Sequence, residues 1–340
     1  MLRKAIESTY HELSICHELK RSMQMSESII LRSDNLTKNY GDATVLNHIN
    51  ITVPKGSIYG LVGNNGAGKT TLFKILAGHI FPTSGTYTLL GSDNETEYAT
   101  ARKRCGCIIE NPGFFPQMTA KQNLEYYRIQ RGIPGKNVVR DSLKLVGLNN
   151  AVNKRFKNMS LGMKQRLGLA LALMGEPELL ILDEPINGLD PSGIIEIRNL
   201  LLKLNREKHI TILISSHILT ELEHVATHYG ILSHGTLLEE TTAETLRDKC
   251  QSYLEIKVGN AKKYAALLES RLHCKNFKIL PDNIIHIYDE TDNVSDYSSL
   301  AVESGVGLLS LNQKKVSFEN YYMHLIASRN VNDTIRKGDF

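Results

Sequence analysis

Gly63-Asn64-Asn65-Gly66-Ala67-Gly68-Lys69-Thr70 is the stretch from which the rest of the chain can be read. It fits the spacing G-x-x-x-x-G-K-[ST]. Glycines let successive backbone N–H groups curl around a phosphate with no Cβ in the way. A helix beginning there aims its N-terminal dipole at the same anion. Lys69 can reach the outer phosphates, and the Thr70 hydroxyl is a ligand for Mg²⁺. The flanks agree. Ser57-Ile58-Tyr59-Gly60-Leu61-Val62 is an apolar run that ends in the loop. Beyond it, Leu72, Ile75 and Leu76 recur at helical spacing. The segment therefore predicts a strand, a phosphate loop and a helix.

Downstream, Leu179-Leu180-Ile181-Leu182-Asp183-Glu184 reads as an apolar strand closed by two acids. Adjacent carboxylates at a buried strand end are costly unless a cation balances them. Mg²⁺ shared with Thr70 and a nucleotide is that cation. Asp183 is expected to hold it, directly or through water. Glu184 is expected on the other side of the strand, polarising the attacking water as general base. Residues 179–182 and 211–215 suit parallel strands buried on both faces. Helical patterns at 193–208 and 219–229 alternate with them. This is the βαβ order of an α/β domain, with a helical insertion at about 112–175. After residue 246 the pattern changes. Strands are expected at 253–258, 277–280, 284–287 and 307–311, with helices at 262–272, 295–304 and 318–327. The βαββαβ order predicts a small ferredoxin-like α+β unit. The expected domains are an N-terminal extension (1–27), a nucleotide-binding domain (28–245) and an accessory domain (250–340). The extension, with Leu2, Ile6, Leu13 and Ile15 loosely spaced, reads either as an ordered helix or as residues ahead of a start at Met25.

Composition excludes other classes. Lys plus Arg is 40 and Asp plus Glu is 36, giving +4, too little to argue for nucleic acid by charge. A membrane span needs about 20 apolar residues in succession, and the runs at 167–175 and 179–182 are too short. No apolar h-region follows Arg3 and Lys4, so no secretory signal is read. Cys16, Cys105, Cys107, Cys250 and Cys274 are odd in number and scattered, which fits a reducing cytosol rather than a disulfide framework. Cys105-x-Cys107 lacks a second ligand pair and reads as strand. The clusters Arg102-Lys103-Arg104 and Lys154-Arg155…Lys157 read as solvated faces.

With these residues on the page, the chain resembles the ATP-binding subunits of ABC transporters over about residues 29–240. Met159-Ser160-Leu161-Gly162-Met163-Lys164-Gln165-Arg166 resembles that family's L-S-G-G-Q signature, with Leu161 where the first Gly is usual. Asn187-Gly188-Leu189-Asp190 resembles the D-loop, and Ser215-Ser216-His217 the switch-histidine segment. The resemblance implies a P-loop NTPase (RecA-like) core with an antiparallel β subdomain and a helical insertion. It also implies roles. Tyr40 stacks on adenine by a π contact free of any cation. The loop from Gly63 to Thr70, with Thr71, binds ATP. Ser160 and Gly162 bind the γ-phosphate of nucleotide held by a second copy, although Ser160 is equally placed as a helix N-cap. Asp190 runs along the dimer interface, and His217 senses the γ-phosphate. Where the family usually has Gln, this chain has Glu110, a carboxylate that can still hold Mg²⁺ or water.

Glu110 and the signature spelling resemble the branch that exports bacitracin-like and lantibiotic peptides. What this implies is an ATP- and Mg²⁺-dependent ATPase powering export of, or self-protection against, a peptide antibiotic or drug. Its partners would be a second copy of itself and a separate membrane permease, with no nucleic acid. It would sit peripherally on the inner face of the cell membrane, with the apolar loop Phe114-Phe115-Pro116 receiving the permease. Two readings compete. A soluble ATPase acting on ribosomes or DNA commonly carries two ATPase units or a long coiled coil, whereas one phosphate loop is present here. A non-hydrolysing ATP-binding regulator would not need Glu184 and His217.

Overall fold

The computed structural model describes residues 28–110, 113–250, 252–289, 293–314 and 317–337. The expected N-terminal extension, Cys16 and Asn111-Pro112 lie outside them. The chain divides into two compact units, one ending at Glu240 and the other beginning at Thr241.

The first unit is built on a six-stranded sheet. Its strands are β4 (Ile58–Val62), β6 (Cys105–Ile108), β7 (Leu179–Asp183), β8 (Thr211–Ser216), β9 (His228–Ser233) and β10 (Thr236–Thr242), in the order β10-β9-β4-β8-β7-β6. β8 and β9 flank β4 in parallel, and β7 is parallel to β8 and β6. Every residue of β4, β7 and β8 is buried, as expected for parallel strands covered on both faces. A second, antiparallel sheet pairs β1 (Ile29–Tyr40) with β2 (Ala43–Ile49), β3 (Thr52–Pro54) and β5 (Ser84–Leu89). The helix after the phosphate loop, α1 (Lys69–Leu76), buries Leu72, Phe73, Ile75 and Leu76 into the core shared by both sheets.

The next helix, α2 (Glu95–Lys103), leads into β6, and the insertion follows with α3 (Ala120–Gln130), α4 (Val138–Leu145) and α5 (Leu161–Leu173). β6 runs hard against α5. A Cβ at Gly106 would stand 2.3 Å from the Ala172 carbonyl, so only glycine permits this approach. α6 (Pro191–Lys208) starts with Pro at its first position, where the missing N–H costs nothing.

Sequence expectations need correcting in places. The helix expected at 219–229 stops early, as α7 (Leu219–Glu223). Tyr229 instead opens the buried part of β9, with Tyr229 opposite Gly60 of β4. Parallel pairing with a central strand outweighs local helical spacing here. A Cβ at Gly230 would meet the Tyr59 hydroxyl at 2.4 Å, so Gly230 admits the Tyr59 ring. Arg102 is not a solvated charge. It donates to the Leu76 carbonyl (3.2 Å) and the Tyr87 hydroxyl (2.6 Å), and its guanidinium lies over the Tyr98 ring. Arg104 pairs with Glu178 at 2.6 Å.

The second unit contains α8 (Ala243–Lys249), β11 (Tyr253–Val258), α9 (Ala261–Arg271), β12 (Phe277–Leu280), β13 (Ile284–Ile287), α10 (Val294–Glu303), β14 (Leu308–Lys314) and α11 (Phe318–Lys337). Its antiparallel sheet has the order β12-β13-β11-β14. Leu254, Ile256, Val258, Ile285 and Ile287 point to one side of it and pack with Tyr264, Leu268 and Leu300 from α9 and α10.

Candidate nucleotide-hydrolysis site

The loop at the end of β4 is shaped by close contacts. A Cβ at Gly63 would stand 2.4 Å from the Leu232 carbonyl. Gly68, with φ +107°, caps α1, and a Cβ there would meet Leu46 at 2.7 Å. The Gly68 cap makes no side-chain hydrogen bond, so the N–H groups of the first turn stay available to an anion. Gly66 is also left-handed, with φ +81°, and with Asn64 and Asn65 it is exposed at the loop tip. Ala67 is buried, and Thr71 lies half-buried on α1. Lys69 folds back over the loop. Its Nζ donates to the Gly63 carbonyl (2.6 Å) and the Asn64 carbonyl (3.2 Å) and stands 3.3 Å from Glu184 Oε1.

Both acids of β7 border this loop. Thr70 Oγ1 donates to Asp183 Oδ2 at 2.7 Å, and Ser215 Oγ donates to Asp183 Oδ1 at 2.6 Å. The same Ser215 hydroxyl accepts the Glu184 N–H at 2.9 Å. Strand alternation predicts Glu184 on the opposite face, but its φ of +49° ends the strand and turns the side chain. A non-glycine residue held there stores strain of order 1–3 kcal/mol, a feature that clusters at active sites. Glu184 Oε2 contacts His217 Nδ1 at 2.7 Å. Glu184 Oε1 is buried with no hydrogen-bond partner among the described residues, facing only the Lys69 ammonium. That oxygen is ion-paired with Lys69 and makes no hydrogen bond among the described residues.

The remaining expected residues form no hydrogen bond to this cluster among the described residues. Glu110, with φ +59°, is exposed, and Lys74 Nζ of α1 donates to its Oε1 at 2.6 Å. That hydrogen bond raises the Lys74 ammonium above its ordinary pKa. Tyr40 ends β1 half-exposed, and its ring is not free of a cation, because Lys38 Nζ lies 5.0 Å from its centroid. Ser160 caps α5 through its hydroxyl, which accepts the Met163 N–H at 3.3 Å. Ser160, Gly162 and Asp190 line a separate cavity of about 640 Å³. Lys154 lines it too, and Lys154, Arg155 and Lys157 are exposed, as the reading of a solvated face has it. Asp190 accepts the Ser192 hydroxyl, which holds its carboxyl below the usual range.

Two groups were given no role from sequence. Ser215 was legible only as part of a motif, and nothing local marks its bonds to Asp183 and Glu184. Glu221 accepts the Ser216 hydroxyl at 3.0 Å, and Ser216 Oγ accepts the Ile218 N–H, fixing the turn that presents His217. Burial, first, and the nearby Glu184 raise the Glu221 carboxyl.

A parallel sheet, a glycine loop at a helix N-terminus and two acids on the neighbouring strand define a P-loop nucleoside triphosphatase. The family described as ABC transporter matches residues 46–187. The bacitracin transport ATP-binding protein BcrA of Enterococcus faecalis is 44% identical over 297 residues, covering 87% of this chain and 96% of that protein. BcrA of Bacillus licheniformis is 42% identical, covering 88% and 98%. The lantibiotic transport ATP-binding protein SrtF of Streptococcus pyogenes is 43% identical over 211 residues, covering 62% and 90%. Among solved structures, cbiO1 from Clostridium perfringens superposes with a TM-score of 0.59 at 25% identity, covering 72% of this chain and 96% of that one. The chain belongs to the ATP-binding proteins of ABC transporters and is an ATPase subunit.

Proposed function

We propose that this ATPase drives export of a peptide antibiotic through a separate membrane subunit, working as a pair of identical copies on the inner face of the membrane. The substrate class is supported by likeness to BcrA and SrtF, whose names specify bacitracin and lantibiotic transport. A membrane subunit is supported by likeness to cbiO1, described as part of an ABC transporter complex. No helix among the described residues is long and apolar enough to cross a membrane.

The observation that carries the chemistry is Glu184, with one oxygen on His217 and the other buried and ion-paired with Lys69. In this reading Lys69 leaves its loop carbonyls for the β- and γ-phosphates. Tyr40 stacks on adenine. Glu184 takes the proton of a water whose oxygen bonds to the γ-phosphorus as ADP leaves. His217 orients that carboxylate. The residues present fit Mg²⁺: Thr70 and Asp183 would hold it with hard oxygen donors 2.7 Å apart, beside the Glu184 carboxylate. When bound, the metal neutralises charge on the phosphate oxygens. Ser160 exchanges the α5 cap for the γ-phosphate held by the second copy, Gly162 binds the same phosphate, and Asp190 faces that copy. The permease docks on the insertion. Phe115, Tyr126 and Ile129 are exposed there, while Phe114 is buried against Tyr127 and Phe156 and serves packing instead. The βαββαβ unit is a ferredoxin-like accessory domain, a reading supported by its strand order.

The test is a resistance assay. A sensitive host expresses this chain with the membrane protein encoded beside it and is challenged with bacitracin and lantibiotics. The wild type should raise the inhibitory concentration of at least one of them, and Lys69→Ala should not. Equal sensitivity of both strains to every peptide would remove the export reading.

A further inference from the structure

Glu110 introduces a problem that the usual Gln does not. A nucleotide bound in the Gly63–Thr70 loop brings further negative charge to a place already holding Asp183 and Glu184. A third carboxylate there repels the ligand unless something offsets it. The structure shows what does. Lys74 is five residues beyond Lys69 on the same helix, so α1 presents one lysine to the loop and the other to Glu110. After the Glu110 hydrogen bond, the charges of Glu110, Tyr40 and Asp183 also favour the Lys74 ammonium. The two side chains are 31% and 64% exposed, so the pair adds little to stability. Its effect is on where charge sits. Glu110 meets it from a left-handed backbone, φ +59°, at the point where β6 leaves the core for the insertion.

We propose that Lys74 is a positioning residue of the ATPase site. It is the counter-ion that lets a Glu-bearing loop serve this site, holding the Glu110 carboxylate until nucleotide binds and offsetting its charge afterwards. This rests on the reading of residues 63–70 as the nucleotide site and of Glu110 as part of it.

The test is a double-mutant cycle on the full chain, read by titration of fluorescent ATP with Mg²⁺ and with EDTA. Lys74→Gln should weaken Mg²⁺–nucleotide binding roughly fivefold, the size of an exposed pair, and Lys74→Arg should restore it. In the Glu110→Gln background, Lys74→Gln should cost nothing further. Thermal melts check that each variant is folded. An equal loss in both backgrounds, no loss beside Glu110, or no rescue by Arg would overturn the proposal. The reading it rests on fails separately, if the wild type binds no nucleotide or Lys69→Ala binds it as well as the wild type does.

Discussion

The hydroxyl of Ser215 donates to Asp183 and accepts the N–H of Glu184 from a position with no solvent exposure. It ties the acid expected to hold the metal to the acid expected to take the proton. Ser215→Ala leaves a buried N–H and a carboxylate oxygen short of partners, at a cost of about 1–3 kcal/mol. We expect a lower melting temperature and a reduced kcat, measured by calorimetry and phosphate release. An unchanged melt and rate would remove the positioning role. Among the described residues Lys69 is bound to loop carbonyls and Glu184, so Lys69→Ala should abolish nucleotide affinity and, by leaving the buried Glu184 oxygen without its cation, also lower the melting temperature. Calorimetric titration of ATP checks this. Burial pushes the Cys105 thiol up to about 12 and the Cys107 thiol up to about 11. Both stay protonated at neutral pH, and the thiolate is the reactive form. Native protein should therefore resist alkylation at both positions at pH 7.5 and react on denaturation. Rapid native labelling, read by peptide mass, would contradict the raised thiols of these half-buried cysteines.

Among the elements, the β4–loop–α1 unit was legible because its geometry demands particular residue types at a fixed spacing. β7 was legible for a similar reason, as an apolar run closed by Asp183-Glu184. β9 was not. Val225, Ala226 and Tyr229 satisfy helical spacing, and only pairing with β4, far away in sequence, makes 228–233 a strand. The links that complete the site share this property. Lys74 and Glu110 are 36 residues apart and Ser215 and Glu184 are 31 apart, so no local pattern joins them. The left-handed turn at Glu184, which brings both acids to one loop, has no signature in residue type. The contact of β6 with α5 gives a prediction at this scale. Gly106→Ala puts a methyl 2.3 Å from a backbone carbonyl and should destabilise the first unit by about 1–3 kcal/mol, visible in denaturant unfolding. Stability equal to wild type would mean that the β6–α5 approach is looser than it stands.

At the scale of the molecule, each unit has its own apolar core, one around Leu31, Phe73 and Leu213 and one around Ile256, Tyr264 and Ile285. The change of pattern near residue 246 was readable because alternating strands replace long buried runs there. The function of the second unit was not, since none of its residues forms a recognisable chemical motif. A chain ending at residue 249, which keeps all of β10, should keep nucleotide binding, and if the accessory unit strengthens pairing it should dimerise less tightly. Unchanged dimerisation and activity would remove that role. The central claim is that Glu184 is the base of a site completed by a second copy. Its most direct measurement is the light-scattering mass of Glu184→Gln with MgATP. The account predicts a stable dimer with bound, unhydrolysed ATP, and a monomer on ATP removal. A variant that stays monomeric, or turns over ATP at the wild-type rate, would contradict it.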